Sequence, residues 1–417
     1  MRVAIVAGVR TPFVRAGGVF AKFSTLDLSL HVVTSCLKKL PFDPSRIDEI
    51  FFGTVLLDPR IPNLAREVVM RSGLPKSISG HFIANNCITG LVAAAAAQDA
   101  ISAGRISIAL AGGAESMSQP SLTFPAAGER FFIKLSKAKS IGEKLKLLAS
   151  FRPSFVFPQA PSPKEPSTGL TMGQHCELMA QEMGIARSEQ DKIAFLSHQR
   201  AAKAAQDGVF AAQIEPLGGV SADNLVRGDT SLEKLAKLPA VFDRSAAGTI
   251  SAGNSSALTD GASVVCLMRE DIAKQEGLEI LGYLDGVECS SVPSGDGLLM
   301  GPGLALPKLL TKFGESFSSL KIFEIHEAFG AQVLCNMKAW REGWRAYPTV
   351  AALGEIPEDK LNIFGGSIAL GHPFAATGGR LLLNACAALK ARGGGRGVIS
   401  VCAAGGGAAA ALVSSPE

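Results

Sequence analysis

Two stretches near opposite ends of the 417-residue chain are built alike. Thr89-Gly90 opens an Ala-rich segment with helical patterning that closes at Gly104-Arg105, and the apolar run Ile106 to Ala111 behind it ends in Gly112-Gly113. Thr377-Gly378 opens a second such segment, Gly395-Arg396 follows it, and the run Val398 to Cys402 ends in Ala404-Gly405-Gly406. A helix, a turn and a strand repeated in this way imply two related α/β halves, with the two helix N-termini side by side at a pseudo-twofold axis. Thr-Gly and Gly-Gly are also common chain punctuation, so the repeat stands as an expectation to be met by the fold.

The same rhythm, short apolar runs bounded by Gly between longer helical patterns, runs through most of the chain and belongs to an α/β protein with helices on sheet faces. The runs Val3 to Ala7, Ala262 to Met268 and Ile322 to Ile325 read as further strands; Leu26 to Leu37 and Ser188 to Ala205 join Leu91 to Ile101 and Gly378 to Leu389 as helices. Residues from Ser118 to about Asp243 break the rhythm and read as an insertion, with a Pro-rich loop at 152 to 169. Length agrees, since 417 residues at roughly 100 to 200 per domain make two or three domains.

Composition excludes several classes. With 47% hydrophobic and 19% charged residues the chain is that of a globular enzyme and not a disordered protein. A net charge of +4 is far short of the basic surface that nucleic acid demands, and Trp340, Trp344 and Tyr347 sit together instead of forming a platform for bases. Nucleic acid is therefore not an expected partner. The eight cysteines contain no Cys-x-x-Cys pair, the pattern of reduced thiols in a cytoplasmic protein. The six histidines lack ligand spacing, which argues against a metal site. Neither a signal peptide nor an uncharged apolar stretch of about 18 residues is evident.

Three short segments carry the residues best suited to chemistry. Asn85-Asn86-Cys87-Ile88-Thr89-Gly90 sets a thiol at the start of a helix, where free N–H groups and a partial positive charge lower a thiol pKa. That makes Cys87 a candidate nucleophile, although free cysteines are more often small buried hydrophobes. Gly371-His372-Pro373 places an imidazole in the turn before the second helix, able to take a thiol proton near neutrality. Cys402 ends an apolar strand just ahead of flexible Gly-rich backbone, where a strand meets a cleft, or is simply a core residue. His326-Glu327 after the strand Ile322 to Ile325, and Asn254-Ser255-Ser256, are polar segments that caps and turns alone would explain. No Gly-x-Gly-x-x-Gly follows a strand and opens a helix, so a dinucleotide fingerprint is missing.

Taken together and in order, from Val3-Ala-Ile-Val-Ala-Gly-Val-Arg-Thr-Pro12 to Cys402-Ala-Ala-Gly-Gly406, these segments resemble the thiolases, acetyl-CoA C-acyltransferases, over nearly the whole chain. His-Glu-Ala-Phe at 326 to 329, Gly-His-Pro-Phe-Ala-Ala-Thr-Gly at 371 to 378 and Cys-Ala-Ala-Gly-Gly at 402 look most like the β subunit of the fatty-acid β-oxidation trifunctional complex. The resemblance implies a thiolase fold, a five-layered α-β-α-β-α core of two similar halves at 1–270 and 271–417. A loop domain at about 118–243 is inserted in the first half, and the assembly is a homodimer or dimer of dimers. It implies that Cys87 accepts the acyl group, His372 deprotonates it, and Cys402 handles the α-proton of the acetyl-CoA leaving group. His326 and His372 would form one oxyanion hole, the N–H groups of Cys87 and Ala404 the other. Ser256, Ala328 and Phe329 would meet CoA or substrate, and Met172 the acyl side. Coenzyme A enters as a substrate and no cofactor is implied.

Two positions depart from many thiolases: Ala404 stands where Gly is usual, and Thr171 where short-chain members carry His, which favours a longer acyl substrate. The implied reaction is 3-ketoacyl-CoA thiolysis. Its rivals are a biosynthetic acetoacetyl-CoA thiolase, a decarboxylating ketoacyl synthase, against which Cys402 argues, and a silent scaffold subunit for a hydratase/dehydrogenase α subunit, against which the complete Cys87, His326, His372 and Cys402 set argues. Residues 129–152 carry a net charge of +5, more than the whole chain's +4, with Phe131, Phe132, Leu135, Ile141, Leu145, Leu148 and Phe151 interleaved and Gly142 breaking the pattern. Such a surface suits a solvated hairpin, a peripheral membrane contact or a docking face for that α subunit.

Overall fold

In the computed structural model, which describes residues 1–416, the apolar runs read as strands lie within one continuous ladder. Its members are β1 (Val3–Arg10), β2 (Val14–Arg15), β3 (Glu49–Gly53), β4 (Ser79–Ile83), β5 (Ile108–Glu115), β6 (Thr259–Arg269), β7 (Gly282–Ser291), β8 (Ile322–Ile325), β9 (Arg396–Cys402) and β10 (Gly407–Ser414). They pair in the order β4-β3-β5-β6-β1-β7-β10-β9-β8, with β2 on β6. Between β1 and β7 the order reflects: β1-β6-β5-β3 on one side matches β7-β10-β9-β8 on the other. In both sets the first two pairings are antiparallel and the outermost is parallel. Identical connectivity in the two halves bears out the repeat.

At the seam only Val3, Ala4 and Ile5 pair with β7, so each half keeps a sheet of its own. The helices Thr89–Ser102 and Thr377–Ala391 fill the space between those sheets. Their buried residues share one core with Ala109 and Val265 of the first half and Ile399 and Ala411 of the second. Ala93, Ala94, Ala97 and Ala100 are buried and let the first of these helices pack closely, while Asp99 and Ser102 reach solvent towards its C-terminal end. Outside, Thr25–Lys39 packs on β1, β5 and β6, and Pro302–Phe313 packs on β7, β9 and β10. The layers are α-β-α-β-α, as the resemblance implied.

Two local expectations change, at the end of β5 and at Gly142. The strand β5 does not end at Gly112-Gly113 but continues to Glu115, because a Cβ at Gly112 would sit 2.2 Å from Ser263 O and one at Gly113 would sit 2.5 Å from Ala375 O. Those glycines admit neighbouring backbone and do not mark a turn. The stretch 118–243 is divided: 120–163, with Leu56–Pro62, forms a compact unit of its own, while 164–243 belongs to the main unit with the rest of the chain. Within the smaller unit the helices Ala126–Lys137 and Ile141–Leu148 are separated at Ala138–Ser140, where Ser140 caps the second helix; Gly142 is helical. Phe131 is buried there against Phe132, Phe151 and Phe155.

The two central helices meet at their first turns with no room for side chains. A Cβ on Gly90 would lie 2.4 Å from Ala375 O, and one on Gly378 would lie 2.4 Å from Leu91 N. Because both obstacles are backbone, Gly378→Ala is expected to lower the free energy of unfolding by about 1–3 kcal/mol, the usual range for overpacking. Urea unfolding of the variant and the unaltered protein measures this; an unchanged midpoint would show that the helix pair has slack.

Candidate active site

Cys87 sits in the 3-10 turn Asn86–Ile88 that leads into the helix Thr89–Ser102. Asn86 adopts a left-handed φ of 46°, a conformation that asparagine tolerates better than most residues. The turn is tied from both ends. Thr89 Oγ1 accepts from Asn85 N at 2.8 Å and donates to Asn86 O at 2.7 Å, while Asn86 Nδ2 donates to Ala404 O at 3.0 Å. That last bond brings the loop after β9 over the thiol, and the N–H groups of Ala404 and of Cys87 itself both point to the sulfur. Ala404 does this without a left-handed φ, so its methyl is no obstacle; Gly405 and Gly406, each with φ of 75°, make the turn instead. Glu165 Oε2 accepts from Gly405 N at 2.9 Å and steadies that loop, a contact that nothing in the sequence pattern announces.

A helix start lowers a thiol pKa in water, but here burial dominates and pushes Cys87 up to about 12, with the two N–H groups pulling weakly the other way. The expectation of a lowered thiol pKa is thus corrected: the resting Cys87 is a neutral S–H, which would need a base to act as a nucleophile. Burial and then Arg380 pull the pKa of His372 down to about 3 and leave it neutral, able to accept a proton. His326 is likewise held well below its ordinary value by burial, His372 and Arg380. Cys402, at the buried end of β9, is raised by burial and by Cys87, which keeps it protonated beside that thiol.

The two imidazoles face one another with ring centroids 4.1 Å apart. Each is anchored through Nδ1, His372 to Thr377 Oγ1 at 2.7 Å and His326 to Ser367 Oγ at 2.8 Å, and each leaves Nε2 buried without a partner among the described residues. Unpaired buried nitrogens are costly unless something else is meant to meet them. Thr377 was visible in sequence only as a helix opener, and Ser367 not at all.

The remaining expected residues converge on the same place. His372 N donates to Thr259 Oγ1 at 3.1 Å, Ser256 N donates to Ala328 O at 2.9 Å, and Ser255 pairs with Phe329, so the 252–259 loop is stitched to both His-bearing segments. Glu327 serves as a buried anchor and not as a reacting group: its carboxylate accepts from Ser197 Oγ, Asn362 Nδ2 and Ile368 N. Met172 and Phe242 pack against the apolar cluster that holds Cys402, Phe329, Ile250 and Met300, which walls the thiols on one side. Beyond Ser255 and Ala257 a cavity of about 190 Å³ is lined by Arg15, Arg227 and Lys234, the last paired with Asp229, which leaves a net basic mouth that scattered charges do not reveal in sequence.

A description of the thiolase N-terminal domain matches residues 3–271 and one of the thiolase C-terminal domain matches residues 278–415. The chain belongs to the thiolase family. It is 40% identical to a 3-ketoacyl-CoA thiolase of Photobacterium profundum over 99% of this chain and 97% of that one. Identity is also 40% to a 3-ketoacyl-CoA thiolase of Vibrio cholerae, over 99% and 97%. Among solved structures it is similar to human mitochondrial 3-ketoacyl-CoA thiolase in complex with CoA, at a TM-score of 0.83 and 29% identity over 100% of this chain and 98% of that one. It is also similar to a Bacillus anthracis acetyl-CoA acetyltransferase, at a TM-score of 0.83 and 29% identity over 99% and 98%. As a thiolase the chain is an acyltransferase.

The charge state of His372 predicts a pH profile for this thiolase. An unperturbed imidazole would be protonated, and lost as a base, on falling below about pH 6.5. With the folded value near 3, His372 stays an acceptor well below that. The free-enzyme profile, kcat/KM for acyl-CoA turnover, should therefore show no His372 limb between about pH 5 and 7. An acid limb centred near 6.5 would contradict this.

Proposed function

We propose that the chain is a degradative 3-ketoacyl-CoA thiolase, cleaving a 3-ketoacyl-CoA with CoA to acetyl-CoA and a shortened acyl-CoA in fatty-acid β-oxidation. The observation that carries the reading is the meeting of two imidazoles, ring centroids 4.1 Å apart and each with a buried unpaired Nε2, in a site that also holds Cys87 and Cys402. Cys87 adds to the C3 carbonyl as its proton passes to His372 Nε2, and the tetrahedral oxygen is met by the N–H groups of Cys87 and Ala404. As the C2–C3 bond breaks, its electrons pass to an enolate whose oxygen is met by His326 and the newly protonated His372. Cys402 gives its proton to C2, and acetyl-CoA departs. A second CoA thiol then attacks the acyl-Cys87 carbonyl, its proton reloads Cys402, and the Cys87 sulfur leaves and recovers a proton from His372. Charge thus develops at two separate oxygens, each needing its own donors, and losing one such donor typically costs 10²–10³ in rate. Covalent capture splits the transfer into two easier steps.

In this reading the halves are 1–270 and 271–417, Ser256, Ala328 and Phe329 contact the CoA substrate, and Met172 lies on the acyl side. The basic cavity beside Ser255 suits the phosphates of CoA. The working form is a homodimer or dimer of dimers in the cytoplasm, joined by a hydratase/dehydrogenase α subunit. Among the described residues no helix is long and apolar enough to cross a membrane. Residues 129–152 serve as a peripheral membrane contact: Ile133, Ile141, Leu145 and Leu148 are exposed there among lysines, and each basic residue adds about 1 kcal/mol near anionic lipid.

Three experiments test this. Mass spectrometry after incubation with acetyl-CoA should find the acetyl group on the Cys87 peptide; label elsewhere with Cys87 clean would sink the mechanism. Cys402→Ala removes the acid for C2 but leaves nucleophile and base, so acyl exchange between thioesters should survive better than carbon–carbon cleavage, and an equal loss of both would make Cys402 structural. A variant with Lys134, Lys137, Lys139, Lys144 and Lys146 changed to Gln should lose salt-sensitive co-sedimentation with anionic vesicles while keeping thiolase activity; no binding by the unaltered protein rejects the membrane role.

A further inference from the structure

We infer that Ser367, held by Arg380, fixes His326 with its proton on Nε2, so that the two facing imidazoles are opposite tautomers, His326 a donor and His372 an acceptor. The inference deepens the proposed thiolase reading and rests on it. A serine oxygen has one proton to give and two lone pairs. Arg380 Nη2 donates to Ser367 Oγ at 2.7 Å, and a guanidinium can only donate, so one lone pair is taken. The other partner of that oxygen is His326 Nδ1 at 2.8 Å. Ser367 is completely buried, and among the described residues no carbonyl or carboxylate accepts its proton. If the hydroxyl donates to Nδ1, every group is satisfied and the ring proton must sit on Nε2. If Nδ1 carried the proton instead, a buried hydroxyl hydrogen would be stranded.

Thr377 is placed differently. Its hydroxyl also reaches Pro373 O, at 3.1 Å, and giving its proton there frees the oxygen to accept Nδ1–H from His372 at 2.7 Å. His372 then presents a bare Nε2, as a base for Cys87 must. The contrast lies in the alternative acceptor that Thr377 has and Ser367 lacks.

The charged and titratable groups around the pair are consistent with two neutral rings. Arg380 stays a cation although burial lowers it to about 10, with Glu324, Glu327 and Asp223 favouring its charge and Arg10 opposing it, and that charge opposes a second positive charge on either imidazole. With Nε2–H on His326, a donor waits where the enolate oxygen forms; with the proton on Nδ1, a lone pair would face that anion. Ser367 and Arg380 touch no reacting atom. They are positioning residues for His326.

The direct test is nitrogen NMR of the full-length protein with ¹⁵N-labelled histidine at neutral pH, the two rings assigned from His326→Gln and His372→Gln. His326 should show a protonated Nε2 and a bare Nδ1, and His372 the reverse; a proton on Nδ1 of His326 overturns the inference whatever the activity. The kinetic test is Ser367→Ala, which lets His326 take either tautomer. Thiolytic cleavage of a 3-ketoacyl-CoA should fall roughly ten- to a hundred-fold in kcat, less than or comparable to outright loss of an oxyanion donor, with KM little changed. Acetylation of Cys87 by acetyl-CoA should stay close to that of the unaltered protein, and Ser367→Thr, which keeps the hydroxyl, should recover most of the rate. No fall, or an equal fall in cleavage and acetylation, rejects the positioning role. If the unaltered protein cleaves no 3-ketoacyl-CoA, the functional reading fails, while the NMR result still decides the tautomers.

Discussion

The approach of two helices at Gly90 and Gly378, backbone against backbone, is the constraint on which the site depends. Each helix begins with Thr-Gly, and each Thr bonds the turn that precedes it: Thr89 holds the Cys87 turn and Thr377 holds His372. Bringing the helix starts together therefore brings the segments of Cys87 and His372 together, and the turn Asn86–Ile88 packs on the turn Phe374–Ala376. A side chain at either glycine would separate the two halves where they react. The duplicated strand order around these helices makes the approach a product of symmetry, with one half contributing the thiol and the other the imidazoles and second thiol.

Burial sets the chemistry more than any single charge does. In an exposed turn the helix start would favour a thiolate at Cys87; inside the site the thiol is pushed to about 12 and His372 is drawn to about 3, so the pair rests neutral. In the proposed reaction neutral partners suit a site that stabilises anions at two later moments, because charge then appears only when donors are already in place. The price is that proton positions must be arranged in advance, and the hydroxyls behind each ring do that work.

Much of the fold was legible in the chain. The Thr-Gly, helix, strand, Gly-Gly repeat led to the two halves, and the apolar runs at 3, 262, 322 and 398 became strands with boundaries shifted by a few residues. Strands such as β10 were not legible, because half of Gly407–Ser414 is Ala and Val413 is its single β-branched residue. It is held as one by pairing on both sides, and its small side chains let Gly301 come close to Ala408.

Of the site, the residues proposed to do chemistry were picked out by local context: Cys87 and His372 by the turns before helices, Cys402 by a strand end. Residues that orient them were not. Ser367, Arg380 and Glu165 act through bonds to His326, Ser367 and Gly405 across 41, 13 and 240 positions of sequence. The sequence by itself determined the duplicated α/β plan and the candidate reacting atoms, since these follow from local patterns of polarity and turn chemistry. Only the tertiary structure decided which atoms are buried, which protons they hold and what faces them, because desolvation and long-range hydrogen bonds exist only once distant segments have packed.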